Sequence, residues 1–138
     1  MTTHTTPQGA NPAPRRPALL RSALVLDGAG SAACGALLPL VPLDLGLPRP
    51  LLLALGAFLL GYGACAFLAG RTPTRARALA VIAFNTAWVA ASALVVASGW
   101  FPLTTAGLVV LVAQALAVAA VTALQAVGLR RATRPARD

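Results

Sequence analysis

The chain of 138 residues has few of the side chains on which most enzyme mechanisms depend. It contains no Lys and no Glu, only three Asp and two Cys, and a single His, His4, in its polar N-terminal segment. With ligands this scarce, no metal site can be assembled. Cys34 and Cys65 do not form a Cys-x-x-Cys pair, and no base is placed to activate a nucleophile. We therefore expect a non-enzymatic protein with no catalytic residue, no metal and no cofactor.

Apolar residues dominate what is present: 58% of the chain is hydrophobic, 10% is charged, and the mean hydropathy is +0.79. A soluble domain of this composition could not cover its core with polar surface, whereas a chain embedded in lipid does not need to. Crossing about 30 Å of hydrocarbon takes roughly 20 apolar residues in a helix. Four segments satisfy this requirement, at about residues 18–41, 51–70, 78–100 and 105–129.

The sequence thus predicts an all-α fold, a four-helix transmembrane bundle in which short loops connect antiparallel helices in up-down-up-down order. This transmembrane domain covers residues 18–131. Residues 1–17 and 132–138 are polar and lack apolar periodicity. We expect both segments to be disordered cytoplasmic tails.

The eleven arginines are distributed unevenly between the two sides of this bundle. The side of the bundle opposite the termini holds only Arg49, whose positive charge is balanced by the negative charge of Asp44. Because arginine in short loops stays in the cytoplasm, we expect a multi-pass protein of the bacterial inner (plasma) membrane with both termini cytoplasmic. Nucleic-acid binding is disfavoured, since no aromatic residues are interleaved with the arginines, and membrane lipids are the expected partners. The arginines expected to set topology and to contact headgroups are Arg15, Arg16, Arg21, Arg71, Arg75, Arg77, Arg130 and Arg131.

A few polar side chains lie inside the predicted spans, and counting about 1.5 Å per residue from the cytoplasmic edge gives their depth. One residue from each helix comes out at roughly 10–12 Å. Two further glutamines share one face of the fourth helix, one nearer the cytoplasmic surface and one nearer mid-membrane. We expect a polar layer around the single embedded acid, made of Asp27, Tyr62, Asn85, Gln114, Thr122 and Gln125.

The polar layer admits three interpretations. A charged carboxylate in hydrocarbon costs about 2.5 kcal/mol or more, so Asp27 must face protein or water, or stay protonated. The leading interpretation is an interhelical hydrogen-bond clasp in a structural or accessory protein. In the second, Asp27 is the proton- or cation-responsive group of a small transporter or channel subunit. In the third, an enzyme subunit interacts with a lipid or quinone, with only Asp27 and Tyr62 able to exchange protons.

Small residues recur along the first two spans and predict close helix packing. A homo-oligomer or an unknown membrane partner could use the same kind of surface, and the sequence leaves this open. We expect Cys34 and Cys65 to be unpaired and buried, because roughly 15 Å along the membrane normal separates them. The predicted packing residues are Gly28, Gly30, Ser31, Gly35, Gly61 and Gly63.

The two halves of the chain show a weak internal correspondence. A shift of 58 residues aligns Asp27 with Asn85 and Gly70 with Gly128. A duplicated helical hairpin would explain this alignment, although chains rich in Ala align easily by chance.

Four fragments of the chain resemble a family of small four-span bacterial integral membrane proteins typical of high-GC, actinobacterial-type genomes. The fragments are residues 21–27 (RSALVLD), 85–88 (NTAW), 113–115 (AQA) and 124–131 (LQAVGLRR). The resemblance covers about residues 18–131. It implies the four-span fold and, because the family has no assigned activity, it implies no mechanism.

Overall fold

The computed structural model describes residues 18–40 and 42–133, and within those ranges the chain forms four α-helices and no strand. The helices are α1 (Ala18–Leu37), α2 (Arg49–Arg71), α3 (Arg75–Ser98) and α4 (Thr105–Thr133). Helices α2, α3 and α4 are each long and apolar enough to cross a membrane. Helix α1 falls short of that standard, because Arg21 and Asp27 lower the hydropathy of its 20 residues. The segments 1–17 and 134–138, expected as tails, lie outside the described residues.

The helix ends differ from the predicted ones by a few residues, for local reasons. Helix α1 ends at Leu37 rather than near residue 41, because Pro39 has no N–H with which to continue the helix. Helix α2 starts before residue 51, with Pro50 in its first turn, where a missing N–H is tolerated. Helix α4 continues to Thr133, so the prediction of a tail from residue 132 is wrong for its first two residues.

Helix α3 has a cap at each end. The Thr74 side chain accepts a 3.2 Å hydrogen bond from the backbone N–H of Arg77, so the helix begins at Arg75 rather than near residue 78. It ends at Ser98, because Gly99 takes a left-handed backbone conformation with φ of 62°, which commonly terminates helices. The connection to α2 is therefore short enough to hold the two helices antiparallel.

Helices α1 and α2 approach each other most closely, through glycines that face one another. A methyl group on Gly28 would lie 2.6 Å from the carbonyl oxygen of Gly63, and one on Gly35 would lie 2.6 Å from that of Gly56. Carbon and oxygen atoms do not pack at such distances, so this crossing requires glycine. Three of the predicted packing residues, Gly28, Gly35 and Gly63, lie in it.

Other predicted packing positions are wrong. Gly30 and Gly61 are exposed, and a methyl group on either would meet no atom within 4 Å. Each lies two residues from a packed glycine, and two residues turn a helix by about 200°, to its opposite side. Ser31 is only half-buried. Sequence reasoning also missed a regular signal in α2, where glycines recur every seven residues and so share one face: Gly56, Gly63 and Gly70.

Helix α1 lies at the centre of the bundle, with α2 on one side and α4 on the other, while α2 and α3 have few mutual contacts. A methyl group on Gly128 would lie 2.8 Å from the backbone N of Leu20, so the end of α4 meets the start of α1. Helix α3 packs on α4 in the opposite direction. This packing does not have the symmetry that a duplicated hairpin predicts.

Because the helices are antiparallel, the described arginines that were predicted to set the topology all lie at one end of the bundle, here called the arginine end. All of them are exposed there, while Arg15 and Arg16 lie outside the described residues. Most of the remaining surface is apolar, and only 6% of the most apolar stretch of α4 is buried within the protein. Lipid would cover such a surface. The arginine end consists of Arg21, Arg71, Arg75, Arg77, Arg130 and Arg131.

Candidate functional site

One buried carboxylate connects all four helices. Asp27 lies in α1 and is only 5% exposed. Its Oδ2 accepts a 3.1 Å hydrogen bond from the hydroxyl of Tyr62 in α2 and a 2.8 Å bond from Nδ2 of Asn85 in α3. The same oxygen accepts a 2.9 Å bond from Nε2 of Gln125 in α4. These residues, Asp27, Tyr62, Asn85 and Gln125, are the Asp27 cluster.

The three partners of Asp27 are also bonded to one another. The Tyr62 hydroxyl lies 2.6 Å from Oδ1 of Asn85, and Nδ2 of Asn85 lies 3.5 Å from Oε1 of Gln125. Asn85 is 2% exposed and Gln125 is fully buried. Across the described residues, every fully buried side-chain N and O atom has a hydrogen-bond partner. The cluster is thus a closed network, and such a network specifies one packing of its helices.

The Tyr62 hydroxyl has one hydrogen and lies within hydrogen-bond distance of two acceptors, Oδ2 of Asp27 and Oδ1 of Asn85, so the two oxygens share this donor. The two N–H groups of Asn85 and one N–H group of Gln125 make the other three contacts of the cluster.

Stacked aromatic rings hold Tyr62 in place. Its ring lies 4.4 Å from that of Phe84, centroid to centroid, with 27° between the planes. Phe58 and Trp88 extend this row, at 6.0 Å from one another and 10° from parallel. The row spans the gap between α2 and α3, whose backbones otherwise have few contacts. Its rings therefore place the Tyr62 hydroxyl beside Asp27.

Two residues predicted for the polar layer lie elsewhere. Thr122 donates a 2.7 Å hydrogen bond to the carbonyl oxygen of Val118 in its own helix, so its hydroxyl is satisfied locally. Gln114 lies farther from the arginine end, where its Oε1 accepts a 3.1 Å bond from Nε1 of Trp88. Gln114 and Gln125 do share a helix face, but eleven residues, or about 16 Å of helix, separate them. That distance is too long for a single cluster.

The end of the bundle opposite the arginine end is closed by its loops. Asp44 accepts a 2.9 Å bond from the N–H of Gly46 and, through its backbone oxygen, a 2.6 Å bond from the Thr104 hydroxyl. Gly46 has a φ of 74° and packs directly on the backbone of Pro102. These contacts join the loop after α1 to the loop before α4, and so fix how the two hairpins meet.

No group of three or more His, Cys, Asp or Glu within residues 18–40 and 42–133 could hold a metal ion. The two cysteines are unpaired, and both are exposed rather than buried as predicted. Both lie on apolar helices whose small residues leave the thiols uncovered at the surface.

Comparison of the chain with protein-family models, with curated proteins and with solved structures finds no match. The site must therefore be interpreted from its own chemistry.

Proposed function

We propose that the chain is a four-span protein of the bacterial inner membrane, a non-enzymatic structural or accessory component belonging to the small membrane-protein family that its fragments resemble. The observation that carries the proposal is the closed Asp27 cluster. One oxygen of one side chain accepts a hydrogen bond from each of the other three helices. Bridges of this kind contribute about 0.6–2 kcal/mol each in membranes and fix which helix faces meet.

Helix α1 has the composition least typical of a membrane span, because it carries two charged residues, Arg21 and Asp27. A position in the membrane is nevertheless possible for both. Its 20 residues give about 30 Å of helix, which is the thickness of the hydrocarbon layer. Arg21 is exposed at the arginine end, where its long side chain can reach the headgroups. Asp27 faces inward and is bonded to protein. By the positive-inside rule, we expect the arginine end, and with it both termini, to face the cytoplasm.

Transport is the rival function, because an acid inside a membrane is by default a candidate ion or proton site. A transport site needs a path by which its ion enters. Two of the cavities between the helices are lined by other residues, and no member of the Asp27 cluster lines either. The filled and bonded surroundings of Asp27 favour a clasp.

Proteoliposomes containing a trapped pH-sensitive dye separate the two functions. We expect the wild-type protein and Asp27→Asn to leave proton leakage at the level of protein-free liposomes. Asp44→Asn, which changes an exposed loop acid, is the matched control. A pH-dependent flux that Asp27→Asn abolishes and Asp44→Asn preserves would establish transport and overturn the proposal.

The hydrogen-bond clasp also predicts how substitutions at Asp27 change the stability of the protein. Asp27→Leu leaves the amides of Asn85 and Gln125 without their acceptor, so we expect the free energy of unfolding to fall by about 1–3 kcal/mol. Asp27→Asn retains a side-chain oxygen for these amides and should keep most of the stability. Equal stability of Asp27→Leu and the wild type would show that the Asp27 cluster does not hold the helices together.

A further inference from the structure

A cavity of about 470 Å³ lies in the half of the bundle away from the arginine end. Residues of both hairpins and of both loops at that end line this cavity, which is partly open at the protein surface, and most of the lining side chains are leucines and other apolar residues. Small-molecule sites in proteins have volumes of about 300–1,000 Å³, mostly apolar walls and a few placed polar groups. No residue of the Asp27 cluster lines the cavity, so it is a separate site.

Gln114 supplies an unused hydrogen-bond donor at the cavity. Its Oε1 is occupied by the indole N–H of Trp88, at 3.1 Å, which fixes the orientation of the amide. Its Nε2 donates to no residue within the described ranges. Since no fully buried polar side-chain atom there lacks a partner, this Nε2 is accessible, and Gln114 lines the cavity. A donor left unpaired among apolar walls favours an occupant that brings an acceptor.

The depth of Gln114 in the membrane limits which compounds could supply the hydrogen-bond acceptor. Gln114 is nine residues into α4, or about 13 Å of helix from Thr105. Ester carbonyls of phospholipids lie at the membrane surface, so acyl chains alone would reach this level, and they have no acceptor. An aromatic side chain, Trp88, lines the same part of the cavity and stacks with Phe58 at 6.0 Å. Aromatic surroundings suit a flat ring.

We propose that this cavity binds a membrane-soluble carbonyl compound of the quinone class, with one ring carbonyl accepting a hydrogen bond from Nε2 of Gln114. The apolar walls hold the ring and the first part of its hydrocarbon tail. Ser92 does not compete for the carbonyl, because its hydroxyl donates to the backbone oxygen of Trp88 at 2.9 Å. The site requires binding only, and no redox step follows from it.

Trp88 makes the site observable, because quinones quench indole fluorescence at short range. The chain has two tryptophans, and the other, Trp100, is 70% exposed. In the full-length Trp100→Phe protein, reconstituted in lipid nanodiscs, emission comes from Trp88 alone. We expect a decyl-substituted benzoquinone to quench this emission with saturation. Decylbenzene, which has the tail and ring but no carbonyl, should compete at least tenfold less well.

Three variants in the same background locate the bound probe. Ala91 lines the cavity and its neighbour Ala90 does not. Ala91→Phe should raise the half-saturating concentration at least tenfold, and the matched control Ala90→Phe should leave it unchanged. Gln114→Leu removes the donor and should raise it about three- to tenfold. Circular dichroism and gel filtration check that each variant is folded, and the alanine pair remains decisive if Gln114→Leu is not.

Three outcomes would overturn the inference. Quenching that rises linearly without saturation would show only partition into the lipid. Equal effects of Ala91→Phe and Ala90→Phe would place the probe outside the cavity. Displacement by decylbenzene as effective as by the quinone would assign the cavity to acyl chains of phospholipids.

Discussion

Asp27, in the middle of α1, accepts a 2.9 Å hydrogen bond from Gln125, in the last third of α4, although 98 residues of chain separate them. The bond joins the first helix to the last, in the same interface of α1 and α4 as the contact of Gly128 with Leu20. A slip of one residue in either helix would turn one of the two side chains by about 100°, out of the interface. The pair therefore specifies register as well as adding stability.

The crossing of α1 and α2 provides a matched pair of glycine substitutions. Gly28→Ala places a methyl group 2.6 Å from the carbonyl oxygen of Gly63, so the helices must separate, and we expect the free energy of unfolding to fall by about 1–3 kcal/mol. Gly30→Ala meets nothing within 4 Å and gains helix propensity, worth up to about 1 kcal/mol. Denaturation by sodium dodecyl sulfate in mixed micelles measures both, and equal effects would contradict the packing described for α1 and α2.

Depth counting explains why much of the Asp27 cluster could be predicted from sequence. Asp27, Tyr62 and Asn85 are embedded polar residues in helices that are made mostly of small and apolar residues, so their levels can be calculated from their distance to the span ends. The structure brings these three together with Gln125, another member of the predicted layer. Depth alone does not give the rotation of a helix about its axis. Thr122 was therefore predicted for the polar layer, whereas its hydroxyl forms a hydrogen bond within α4.

The packing glycines were harder to predict, because the face that a helix presents depends on its neighbours. Small residues occur on every side of α1 and α2, so Gly30 and Gly61 look as suitable as Gly28 and Gly63. The seven-residue spacing that includes Gly56 and Gly70 was the usable signal. The pairing of Trp88 with Gln114 also lay beyond sequence reasoning, since it depends on the relative height of α3 and α4.

Cysteine labelling in intact cells tests the proposed orientation. In a variant with Cys34→Ala and Cys65→Ala, a single cysteine is introduced at Leu43, in the exposed loop after α1, or at Thr72, in the exposed loop after α2. A membrane-impermeant maleimide should label Leu43→Cys from outside. Thr72→Cys should be labelled only after the cells are permeabilised, because in the proposed topology the arginine end faces the cytoplasm. The reverse pattern would invert the topology.

The measurement that tests the clasp most directly is a double-mutant cycle on Asp27 and Gln125. Free energies of unfolding are compared for the wild type, Asp27→Leu, Gln125→Leu and the double variant in the same lipid. If the two side chains hold α1 to α4, the cycle returns a coupling free energy of about 0.6–2 kcal/mol. Additive losses, with no coupling between the two positions, would contradict the account.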